Sequence, residues 1–209
     1  MRWSWWVMMV LALAIAGYAG AVVVLGARMY PPNLIDSFRA RPWGIYPHAF
    51  FGSIALAAGA FQFHRGILTR HRARHRLLGK VYLVASLTSG AAGLFMSPFS
   101  DGGVVTHFGF GLLAVATLTT TSLAYAAIRA RQIGRHRGWM IRSYSLIFGA
   151  VMLRIELPIL TVLFGDFTPA YRVVSWLAWV PNLLVAEAMI RRRRGPALER
   201  EVLELARGS

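Results

Sequence analysis

The sequence predicts an all-α integral membrane protein: a six-helix bundle with two parallel helical-hairpin repeats, helices 2–3 and helices 4–5. Three observations predict it. Hydrophobic residues make up 56% of the 209 positions and charged residues only 15%, with a mean hydropathy of +0.51. Soluble domains run nearer about 45–50% apolar and about 25% charged. The apolar residues also gather into six blocks, each close to the ~20 residues that carry a helix across the hydrocarbon. Finally, two stretches repeat each other. His48-Ala-Phe-Phe-Gly52 is followed 59 residues later by His107-Phe-Gly-Phe-Gly111, and His75-Arg76 is followed 61 residues later by His136-Arg137.

The blocks are Trp5–Leu25, Ile45–Phe63, Leu77–Met96, Val104–Ile128, Trp139–Phe164 and Val173–Ile190. The first has no internal charge and opens on Trp3, Trp5 and Trp6, which suits an interfacial aromatic belt. Arg2 and the small residues Ala19-Gly20-Ala21 also allow a cleaved signal peptide. The apolar stretch, however, exceeds the ~7–15 residues of a signal core, which favours a retained span. Residues 26–44 contain Pro31, Pro32 and Pro42, so this connection reads as irregular. Asp101-Gly102-Gly103 and the 165–168 stretch read as turns. Residues 1–194 form the six-span domain and 195–209 a short cytoplasmic tail, either an amphipathic surface helix or a frayed terminus.

The net charge of +15 follows topology. Arg65, Arg70, Arg72, Arg74, Arg76 and Lys80 surround the second connection, Arg129, Arg131, Arg135, Arg137 and Arg142 the fourth, and Arg191 to Arg194 follow the last block. All three lie on one side of a six-pass chain, while Asp101 and Asp166 lie on the other. The positive-inside rule makes the basic side cytoplasmic, with both termini there, in the plasma (inner) membrane. The expected partner of this charge is the lipid bilayer and its anionic head groups, not nucleic acid. The chain has no cysteine, which excludes disulfides, iron–sulfur clusters and a thiol nucleophile.

An ionisable side chain within a bilayer is a functional hypothesis by default. His48 and His107 stand roughly 5–8 Å below the outer starts of their helices. Matching depth on two helices suits a planar ligand held from both sides, and neutral imidazole is a common ligand of haem iron. The faces of the two histidines continue through Gly52, Ala55 and Gly59, and through Gly111 and Ala114. Glycine one turn from a ligand leaves room for a macrocycle, yet small residues at this spacing also let membrane helices pack directly. On the inner side His75 leads His-Arg-Leu-Leu-Gly79, on a face shared with Tyr82, Ser86 and Ser89. His136 is its repeat partner, with Met140 in the glycine's place. Both are either ligands or solvated members of basic loops. His64 is a rival ligand on another face.

Arg154 lies 18 residues, five turns or about 27 Å, beyond His136 on the same helix face. That aims it at the interior, level with the outer histidines, to meet a haem propionate or an anionic substrate, or else to pair with a carboxylate such as Glu156 or Asp166 or snorkel to water. Pro158 predicts a kink, and Glu187 is placed to pair with Arg191 one turn on. Phosphate-loop, nucleophile-elbow and zinc-protease motifs are absent.

Six helices with histidines on helices 2, 3, 4 and 5 resemble the transmembrane diheme b cytochromes that reduce ascorbate radical or ferric iron. That resemblance implies one haem between His48 and His107 and another between His75 and His136, with His75-Arg-Leu-Leu-Gly79 and His107-Phe-Gly-Phe-Gly111 carrying the histidine-plus-glycine spacing. His75-Arg-x-x-Gly-x-x-Tyr82 and His136-Arg-x-Trp-Met-x-Arg-Ser143 are more similar to a bacterial family of uncharacterised multi-pass membrane proteins, which implies an integral membrane protein without a settled activity. The expected function is therefore a b-type cytochrome carrying one or two haem b groups. It would pass electrons from a quinone pool or a small anionic reductant to an outer-face acceptor. The alternative is a non-redox membrane protein, a small transporter or a structural subunit of a membrane complex, in which the histidines are packing groups or a proton relay.

Overall fold

The computed structural model describes residues 2–29, 32–63 and 70–192. His64, Arg193, Arg194 and the 195–209 tail lie outside the described residues. These are almost wholly helical and include no strand. In chain order the α-helices are α1 (Arg2–Leu25), the short α2 (Ile35–Ala40), α3 (Pro42–Gln62), α4 (Arg72–Met96), α5 (Val104–Arg129), α6 (Ile133–Ile147), α7 (Gly149–Phe164) and α8 (Phe167–Leu177). A last helix, α9, covers 180–192. α6 with α7 makes one span and α8 with α9 another, giving six helices long and apolar enough to cross a membrane.

The helices outrun the apolar blocks at the arginine-rich end. α4 starts at Arg72 and α6 at Ile133, because arginine is a good helix former and its long stem lets the charge reach the head groups while the backbone stays helical. His75 and His136 therefore lie in first turns of helices. At the opposite end the turns follow local chemistry. Gly102 and Gly103 have φ of +99° and +74°, a region that costs glycine little. Gly165, at φ +67°, ends α7, and the Asp166 carboxylate caps α8 by accepting from the Thr168 amide at 3.1 Å.

Two spans are interrupted. The fifth breaks at Phe148, between α6 and α7, and α7 carries Pro158 within it. Gly149 sits there against the sixth span, where a Cβ would come within 3.2 Å of the Ala178 carbonyl. The sixth span breaks at Ala178 and Trp179, just before Pro181, which has no amide hydrogen to give the preceding turn. The Asn182 side-chain amide donates to the Ala178 carbonyl at 3.0 Å and to the Ser145 carbonyl of α6 at 3.4 Å.

α3 packs against α4 and α6, and α5 packs against the same two helices. Spans two to five thus close a square in which α3 faces α5, and α4 faces α6, across the diagonals. α1 flanks this square against α3 and α7, and α8 flanks it against α5 and α7. The interfaces are built of small residues, as suits helices whose association gains nothing from excluding water. Ala55, Ala60, Ser86, Ser143 and Ser175 are all fully buried. Large apolar side chains lie outside instead: Val162 is 85% exposed and Leu163 72%, the inverse of a soluble core and the surface a lipid phase requires.

Candidate functional site

The middle of the square is occupied by a hydrogen-bonded polar cluster. The Tyr82 hydroxyl on α4 shares a hydrogen bond of 2.7 Å with Ser143 Oγ on α6, and Thr121 Oγ1 on α5 shares another of 2.7 Å with the same Ser143 oxygen. Next to them the Tyr144 hydroxyl donates to the Leu56 carbonyl on α3 at 3.2 Å. Both tyrosine rings lie over Gly59, where an added Cβ would come within 2.9 Å of Tyr82 Cε2. All four central spans meet in this cluster. Its hydroxyls answer one another because nothing else at that depth can.

The cluster fixes the faces on which two of the candidate histidines stand. His75 is seven residues before Tyr82 and His136 seven before Ser143, two turns in each case. The Tyr82–Ser143 bond turns those faces toward each other, so both imidazoles belong to the interior faces about 10 Å nearer the arginine-rich end. His136 is close enough to act electrostatically on His75. His136 Nδ1 bonds the Ala124 carbonyl of α5 at 2.9 Å. A carbonyl only accepts, so Nδ1 carries the hydrogen and Nε2 presents its lone pair. His75 Nδ1 is buried and has no hydrogen-bond partner among the described residues. The His75 carbonyl accepts from Gln62 Nε2 at 3.0 Å, and Gly79 lies beside that same nitrogen, 3.6 Å from where its Cβ would be.

At the other end of the bundle His48 Nδ1 donates to the Ser89 carbonyl of α4 at 3.0 Å, while the Ser89 hydroxyl donates to the His48 carbonyl at 3.0 Å. Nε2 is again the free lone pair. The ring lies against Gly93, whose Cβ would come within 3.1 Å of it, yet His48 remains exposed. His107 is turned differently. Its Nε2 bonds the Ser100 carbonyl at 3.1 Å, in the turn before its own helix, and among the described residues it has no hydrogen bond to His48. Gly52 faces Ser89 Oγ, 3.0 Å from its would-be Cβ, and Gly111 faces Ser97 Oγ, at 3.3 Å. Both glycines therefore admit a neighbouring helix at these positions. Arg154 on α7 exerts a charge effect on His48. Its Nη1 donates to the Ala150 carbonyl at 3.0 Å, its Nε is buried without a partner, and its guanidinium carbon is 5.6 Å from the Tyr18 ring centroid.

The structure thus sets His75 and His136 in the first turns of two helices at the same end of the bundle, and leaves His107 on its own turn. Glu187 pairs with Arg142 of α6 across the helices, with Arg142 Nη2 2.8 Å from Glu187 Oε2, a partner that its sequence spacing to Arg191 does not point to. Among the described residues no group of three or more histidine or carboxylate side chains could hold a metal ion. Ser143 and Thr121 are the cluster members that sequence reasoning missed as a pair. Their signal was a hydroxyl on the interior face of each helix, two turns from a histidine in the case of Ser143.

Six lipid-exposed apolar helices around a small-residue, hydroxyl-bonded centre define a multi-pass helical membrane protein. Residues 45–190 match the family described as predicted membrane protein (DUF2306), a domain of unknown function, and the chain belongs to that family. No curated protein and no solved structure matches it.

Proposed function

We propose that this protein is a b-type membrane cytochrome of the bacterial inner membrane, with its arginine-rich end in the cytoplasm. It would move electrons between a quinol or small anionic reductant and an acceptor at the opposite face. The observation that carries this reading is the His75–His136 pair: two imidazoles at one end of the bundle, one with Nδ1 committed to a carbonyl and the other with a buried Nδ1 that has no partner among the described residues. Orphaned buried polar atoms are rare in finished structures, and here one belongs to a residue type that ligates haem iron. His75 and His136 would hold the first haem, and His48 with His107 a second. In the second pair His48 offers a free Nε2, while His107 offers Nδ1 because Nε2 is engaged with Ser100. A bound haem b would supply a one-electron centre in a site shielded from water. The chain itself would set the ring orientations through the Ala124 and Ser89 carbonyls and close the space between the two sites with the Tyr82–Ser143–Thr121 cluster.

The test is optical. Protein purified in detergent from haem-replete cells is expected to show b-type absorption bands that sharpen on dithionite reduction, and His75→Ala or His136→Ala should remove a haem. A colourless wild-type preparation would sink the cytochrome reading and leave the non-redox alternative.

A further inference from the structure

We propose that Arg154 anchors a carboxylate-binding site in the half of the bundle away from the arginine-rich connections, beside Tyr18. Arg154 lies ten residues, about 15 Å, inside the end of α7 at Phe164, well within the fifth span. A guanidinium at such a depth is costly unless it meets an anion. No carboxylate among the described residues forms an ion pair with it: the one such ion pair is Arg142–Glu187. Glu156 is two residues along the same helix and so points to a different face, and its Oε2 is buried without a partner. Asp166 is spent on the α8 cap.

An aromatic ring stands beside the guanidinium, and Asp101, the carboxylate that acts on nearby Tyr171, forms no ion pair with it. The guanidinium lies over Tyr18 at 5.6 Å, and Tyr171 and His48 are within its electrostatic reach. Only Nη1 has a protein acceptor, the Ala150 carbonyl at 3.0 Å, while Nε is buried and unpartnered. A planar fork with an unused donor matches a carboxylate better than it matches a point acceptor. A ligand carboxylate would supply the missing charge. Two sources share this chemistry: a porphyrin propionate, if haem binds as proposed above, or a small carboxylic acid entering from solution. The site does not depend on the haem reading.

Full-length protein, purified from haem-replete and from haem-starved cells, distinguishes them by titration with succinate, followed by melting temperature. Haem-free wild type is expected to show a saturable rise that Arg154→Gln abolishes. Arg154→Lys, which keeps the charge without the fork, should bind at least tenfold more weakly, and it decides the matter if the glutamine variant does not fold. If haem-loaded protein no longer responds, the propionate occupies the site; if it responds as before, the free acid is the ligand. Should no preparation contain haem, a response to succinate still upholds the site while the cytochrome reading falls. An equal response from wild type and both variants overturns the proposal, as does no response combined with unchanged haem content in Arg154→Gln.

Discussion

Tyr82 and Ser143, 61 residues apart in sequence, share a hydrogen bond of 2.7 Å at the centre of the bundle. That single bond joins the third span to the fifth across a diagonal and sets the rotation of both helices about their axes. Ser143 is also the partner of Thr121, so it is the hub of the cluster and the other two are spokes.

The asymmetry predicts unequal costs. Tyr82→Phe removes one spoke and leaves Ser143 bonded to Thr121, and should cost about 0.5–1 kcal/mol, in the range of hydrogen bonds between membrane helices. Ser143→Ala strands two buried hydroxyls at once and should cost about 1–3 kcal/mol. Unfolding of the two variants in mixed micelles measures the difference; equal losses would remove Ser143 from the centre of the cluster.

Glycine positions divide just as sharply. At Gly59 a Cβ would run into the Tyr82 and Tyr144 rings, which are themselves fixed by hydrogen bonds. Gly59→Ala should therefore destabilise by about 1–3 kcal/mol, as overpacking does. At Gly134, in the first turn of α6, nothing lies within 4 Å. Gly134→Ala should be neutral or stabilising by up to about 1 kcal/mol, through reduced freedom of the unfolded chain. Melting temperatures of the two variants, measured side by side, are expected to move in opposite directions or to differ by several degrees.

Arg142 grips Glu187 with two nitrogens and lies over the Trp139 ring at 4.6 Å. A fork held this way is geometrically demanding. Arg142→Lys should therefore weaken the tie between the fifth and sixth spans nearly as much as Arg142→Gln. A double-mutant cycle with Glu187→Gln should return a coupling of about 1 kcal/mol or more. Zero coupling would reduce the pair to a surface contact.

Topology is open to direct chemistry because the chain has no cysteine. A cysteine at the exposed Asp101 should react with a membrane-impermeant maleimide in intact cells, and one at the exposed Arg129 only after permeabilisation. The reverse pattern would invert the orientation that the arginine distribution predicts.

Sequence alone located the membrane spans well. Trp5–Leu25 coincides with the first span, and the fourth differs by one residue at one end, because hydropathy averaged over twenty residues is a strong signal. The first turns of α4 and α6 were less legible, since arginine marks the membrane surface without marking where a helix begins. The break at Phe148 interrupts the five turns counted from His136 to Arg154, and the lack of a carboxylate partner for Arg154 among the described residues emerged only in three dimensions. The Thr121–Ser143 bond was not legible either, for a serine and a threonine on neighbouring helices carry no pairing signal until the rotation of both helices is known. The break in the fifth span falls at Phe148, beside Gly149 and its contact with the sixth span, and no proline marks that position in the sequence.

Asn182 gives the last span a chemical polarity of its own. Both oxygens it reaches, those of Ala178 and Ser145, are acceptors, so the position requires a side chain that gives hydrogens. Aspartate, the same size and shape, would set a negative oxygen against two carbonyl oxygens, while leucine would leave both without a donor. The seam that lets the last helix bend at Pro181 is thus closed by a stitch that works in one direction only.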